Sequence, residues 1–238
     1  MHRIALSLLA AALVAPATAS AGLVLGAGTG LVKPLGSIGG DDEMKDAVSV
    51  MIPAELQLGW KFADRLTLAG FLAMDFGFVG GAFKDSCDAS GDACLVDQAR
   101  LGLQARWNFQ PSRQLDPWVG LGFAQETLAM ERSSDSSGST TNVKGLALDV
   151  MAGADYWVSD RFSVSPWLGL SVGKYTDSKE LNAIDTEWKA IPEQKLHALV
   201  TAGVRVAWDF GGRAVTDTAA TRGRTPSRGD GSARAGGT

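Results

Sequence analysis

Between Leu196 and Phe210 the chain reads LHALVTAGVRVAWDF, and its even positions are all apolar: Leu196, Ala198, Val200, Ala202, Val204, Val206, Trp208 and Phe210. The odd positions include His197, Thr201, Gly203, Arg205 and Asp209. Successive side chains of a strand point to opposite faces, so the run reads as a strand with one apolar and one polar or small face. A helix would scatter the two charges around its surface. Three further segments repeat the design. QARLGLQARWNF sets Ala99, Leu101, Leu103, Ala105, Trp107 and Phe109 against Gln98, Arg100, Gly102, Gln104, Arg106 and Asn108. IPAELQLGWKF sets Ile52, Ala54, Leu56, Leu58, Trp60 and Phe62 against Pro53, Glu55, Gln57, Gly59 and Lys61, and LALDVMAGADYWV places Asp149, Gly153 and Asp155 opposite its apolar parity.

Weaker strands are expected at 23–33, 66–79, 118–130 and 162–175, giving eight. Their connections alternate in length. Residues 63–65, 110–116 and 159–160 form short turns, whereas 34–47, 80–96, 131–142 and 176–194 are long and polar. An even number of strands with short turns at one end and long loops at the other describes an all-β, eight-stranded antiparallel up-and-down transmembrane β-barrel.

Alternation alone leaves open which face is outside, since a lipocalin-like barrel turns its apolar face inward around a ligand. The apolar parity is bulky and nearly uninterrupted, while the polar parity mixes glycine with charges of both signs, as a narrow interior requires. Aromatics point the same way. Trp60, Phe62, Trp107, Phe109, Tyr156, Trp208 and Phe210 all stand on the apolar parity at the short-turn ends of even-numbered strands, which forms one ring in a meander. Such a belt matches the headgroup level of a membrane, where an amphipathic ring sits well.

The N-terminus reads as a cleaved secretory leader over residues 1–21: a basic MHR, an apolar core from Ile4 to Ala15, and small residues at Ala19 and Ala21. Twelve residues make a helix of only about 18 Å, too short for a ~30 Å hydrocarbon core. The barrel is expected over 22–211, followed by a Gly/Ala/Arg-rich disordered tail at 212–238 that lacks the apolar residues to fold alone. The last 28 residues hold five arginines and two aspartates, so residues 22–210 keep 16 basic against 24 acidic residues. That acidic body argues against nucleic acid as a partner. Cys87 and Cys94 are the only cysteines. In an exported chain they read as a disulfide pinning one loop, with free thiols as the alternative. The neighbouring Asp85, Asp88 and Asp92 do not have the spacing of a calcium loop.

The segments DPWVGLGFA (116–124), AGADYWVSDRFSVSPWLGLSVG (152–173) and AGVRVAWDF (202–210) give the chain a family likeness. It resembles the small eight-stranded outer-membrane β-barrel proteins of Gram-negative bacteria, the group similar to the membrane domain of outer-membrane protein A. The resemblance implies residence in the bacterial outer membrane, contact with its lipids and lipopolysaccharide, and a monomeric state. It also implies that Gly203, Val206, Trp208 and Phe210 form the terminal-strand signal read by the barrel-insertion machinery. The family's terminal aromatic often ends the chain, whereas 28 residues follow Phe210 here.

About eight strands enclose an interior just wide enough to be filled by side chains. Inward charges are expected at Glu55, Lys61, Asp75, Arg100, Arg106, Glu126, Asp149, Asp155, His197 and Arg205, paired because an unpaired buried charge is costly. A plugged lumen follows, with a structural or surface-interaction role. The alternatives are a narrow channel for ions or small hydrophobic compounds, and a lipid-modifying enzyme resting on His197, with Ser171 or Asp75 as conceivable neighbours. No enzymatic activity and no cofactor are expected: GAGTGLVKPLG lacks the Gly-Lys-Ser/Thr ending of a phosphate loop. The loops GGDDEMKD and ERSSDSSGSTTN read as solvated surface able to bridge divalent ions with lipopolysaccharide.

Overall fold

The alternating segments fold as eight long strands in the computed structural model, which describes residues 22–40, 42–134, 138–181 and 187–212. The strands are β1 (Gly22–Gly39), β2 (Val48–Phe62), β3 (Leu66–Val79), β4 (Ala93–Asn108), β5 (Leu115–Ser133), β6 (Gly138–Trp157), β7 (Phe162–Leu181) and β8 (Leu196–Asp209). Each pairs antiparallel with the next, and β1 pairs with β8 from Val24↔Asp209 to Gly36↔His197. That last ladder closes the sheet into a barrel and leaves no edge. The expected leader, and the expected tail from residue 213 onward, lie outside the described residues.

The two parities separate cleanly. Leu56, Leu101, Leu103, Leu121, Leu148, Leu168 and Leu196 are each more than half exposed on the outer wall. Asp75, Gln98, Arg100, Glu126, Asp149, Asp155, His197 and Arg205 are buried inside. Water tolerates no continuous apolar belt of this kind, whereas a bilayer requires one with every backbone group satisfied inside the sheet. The barrel is therefore built to span a membrane. Among the described residues no helix is long and apolar enough to cross one.

At the short-turn end the chain reverses tightly. The Arg65 amide donates to the Phe62 carbonyl at 3.1 Å, and Ala63 and Asp64 both take positive φ, 48° and 58°. This is the mirror-image turn whose twist matches a hairpin.

The long-loop end departs from the sequence reading. The strands are 14 to 20 residues long, well beyond the 9–11 or so that cross the hydrocarbon. Residues 131–142, expected as a loop, are mostly the paired tips of β5 and β6. β1 and β7 run past the expected limits of 33 and 175. Loop residues 34–47 include α1 (Met44–Ala47), and 80–96 include α2 (Gly81–Ser90). The physical reason is shared: above the membrane both faces of a strand meet polar surroundings, so the period-two signal fades although the ladder continues. Cys87 in α2 and Cys94 in β4 form a disulfide, and α2 ends on Gly91 in the left-handed conformation at φ 75°.

Candidate functional site in the barrel lumen

The inward side chains stack in layers from the short-turn end upward. In the lowest layer Lys61 Nζ lies 3.1 Å from Asp209 Oδ2, with the Trp157 ring 4.7 Å away. Arg106 Nη2 lies 3.1 Å from Asp155 Oδ2. Asn108 Nδ2 donates to Asp155 at 3.0 Å and to Asp116 at 2.8 Å, bridging two carboxylates that face each other across the β5–β6 ladder.

The second layer is an aromatic clamp. The Arg205 guanidinium stands 5.4 Å from both Trp118 and Trp167, and reaches Glu55 Oε1 at 3.4 Å. Arg106 also lies over Trp118, at 4.9 Å, and the indole of Trp118 donates to Ser165 Oγ at 3.0 Å. Cation–π contacts gain strength when desolvated, which holds Arg205 across the bore. Gln57 donates to Glu55 beside it. Gly203 gives the clamp room, since a Cβ there would approach Trp167 Nε1 to 2.8 Å.

Arg100 occupies the third layer, donating to Asp75 through Nε at 2.8 Å and Nη2 at 3.3 Å. This forked geometry is the strong form of an ion pair. Asp149 is buried nearby, opposite Ser171 on the β6–β7 ladder. In the fourth layer His197 Nε2 lies 2.6 Å from Glu126 Oε1, and its ring stacks on Tyr175 at 4.2 Å between centroids and 14° between planes. Gln98 Nε2 donates to the other Glu126 oxygen at 2.9 Å. Gly173 backs the pair: a Cβ there would come within 2.6 Å of Glu126 Oε1 and 2.7 Å of His197 Nε2.

Above this the lumen turns apolar. Val32, Met51, Val96, Leu128, Val143 and Leu199 point inward from six strands, and Met44 and Ala47 of α1 close over them with Ile38 and Val48. Two cavities lower in the lumen hold about 10 and 20 Å³, room for a water molecule at most.

All ten charged residues singled out in the sequence thus lie inside the barrel, nine of them in the pairs just described and Asp149 beside Arg100's layer. The seven aromatics stand at the short-turn end, six exposed and Phe62 half-buried, with Trp208 6.2 Å from Phe162. Within the terminal-strand set, Val206, Trp208 and Phe210 face outward while Gly203 faces the lumen. Sequence reasoning missed the apolar plug, the Trp118–Trp167 clamp, Tyr175 and Asp116, and it placed Asn108 on the polar face without giving it a partner. The plug did leave a signal: near the loop end Met51, Leu128, Val143 and Leu199 are apolar on the inward parity.

No known sequence family matches the chain, and no curated protein resembles it in sequence. Its likeness is to the fold of solved structures. A major outer membrane protein from Thermus thermophilus matches with TM-score 0.51 at 14% identity, over 80% of this chain and 99% of that protein. The chain has the fold of the outer-membrane β-barrels. Neisserial surface protein A also matches, with TM-score 0.49 and 14% identity, over 77% of this chain and 96% of its own. At this identity the likeness is one of architecture alone.

Proposed function

We propose that this chain is an integral barrel of the bacterial outer membrane that conducts nothing through its lumen and acts as a structural or surface-interaction protein. The observation that carries the reading is the layered lumen: four tiers of charged and aromatic side chains under an apolar plug. An ion entering would have to separate paired charges and then cross a dry layer. A catalytic role for His197 is disfavoured by the same packing, because its ring is enclosed by Tyr175 and Glu126 beneath the plug, out of reach of a lipid substrate.

The barrel acts as a monomer in contact with outer-membrane lipid. Outward-facing Lys33, Lys144 and Lys174 mark the loop-side margin of the apolar belt, the level at which lipopolysaccharide phosphates stand. The closing strand β8, through Gly203, Val206 and Trp208 together with the following Phe210, serves as the signal for the insertion machinery. Planar-bilayer recording tests the central claim. The refolded chain gives no stable single-channel steps, and uniform steps from the unmodified protein would refute a sealed lumen.

A further inference from the structure

The upper surface of the apolar plug is also the floor of a second feature. Between α1, α2 and the projecting tips of β5–β7 the mouth of the barrel holds an open cleft of about 740 Å³, the size of a small-molecule site. Ile38, Ala47, Phe83, Met130, Val143 and Ile191 line its apolar part, and Asp42, Glu43 and Asp46 its acidic side. The charges are unevenly spent. Glu43 is held by Lys45 at 2.6 Å. Arg132, the basic residue of the lining, is engaged by Asp92 at 3.6 Å and by Ser86, and lies over the Phe83 ring at 5.9 Å. Asp42 and Asp46 have no ion-pair partner among the described residues, which leaves the cleft net acidic.

The walls are fastened in place. The Cys87–Cys94 disulfide ties α2, which carries Phe83, to β4. The Gly40 amide donates to the Glu193 carbonyl at 3.0 Å across the rim. Gly39 lets Ile191 pack closely, since a Cβ at Gly39 would come within 2.9 Å of its Cγ2. A preformed cleft avoids much of the ordering cost of binding. Because α1 and the plug close it from below, it is a blind pocket: what enters is held and not passed on.

We propose that this cleft is a binding site for a small amphipathic organic cation, its apolar body on Phe83, Met130 and Ile191 and its positive end at Asp42 and Asp46. The site does not depend on the lumen being sealed to ions, so the two claims fail separately. The test uses the full mature chain refolded in zwitterionic lipid nanodiscs and titrated calorimetrically with N-methylacridinium, against acridine-9-carboxylate and empty nanodiscs. Saturable one-site binding of the cation and none of the anion is expected. Asp42→Asn with Asp46→Asn weakens the cation about tenfold, as removing two partly exposed charge contacts predicts. Phe83→Ala weakens it as well, and all variants keep their heat-modifiable gel migration. No saturable binding by the unmodified protein, equal affinity for cation and anion, or an unchanged affinity in the double variant would overturn the proposal.

Discussion

Single residues matter in this barrel chiefly through pairing. Arg100 and Asp75 are held together by two hydrogen bonds with almost no exposure to solvent. Removing one partner leaves the other charged and buried, so Asp75→Ala is expected to lower unfolding stability by about 3–5 kcal/mol. Replacing both, as in Asp75→Leu with Arg100→Met, recovers most of that loss, because an apolar pair of similar volume is often neutral. Urea titration of tryptophan fluorescence in lipid vesicles reads both. Gly173→Ala acts by a different route: the added methyl collides with the His197–Glu126 pair, so it destabilises more than Gly→Ala at an open strand position. The same titration distinguishes them.

At the scale of elements, the β2–β3 turn is built against its own sequence. Ala63 takes φ 48°, a region that L-residues other than Asn and Asp seldom occupy. Ala63→Asn should therefore stabilise the barrel by about 0.5–1 kcal/mol, visible as a raised denaturation midpoint without a changed slope. What could be read from the sequence divides along the same line as the chemistry. Strands β2, β4, β6 and β8 were legible wherever one face meets lipid and the other a polar lumen, since that contrast writes a period of two. It was also enough to place Arg205 and Glu126 inside. The tips of β5, β6 and β7 were illegible because neither of their faces meets lipid. The plug left only a faint mark: at Leu199, between Ala198 and Val200, both faces are apolar, and alternation carries no information where its two phases agree. Which charge pairs with which, such as Lys61 with Asp209 across 148 residues, depends on the closed register and on no local pattern.

The molecule as a whole is predicted to behave as a lipid-embedded barrel. It should pellet with outer membranes, resist extraction by alkali, and migrate faster in gels unheated than boiled; recovery in the soluble periplasmic fraction would contradict that. The seam between β1 and β8 adds a constraint of timing. Val24 finds its partner in Asp209, so the barrel's first strand waits for its last, and emergence of the chain in order cannot complete the structure piece by piece. Until the final strand arrives, β1 and β7 offer bare hydrogen-bonding edges beside an apolar wall, the arrangement most prone to pairing with other chains. The interval between export and closure, more than the finished barrel, is then when this protein is most easily lost.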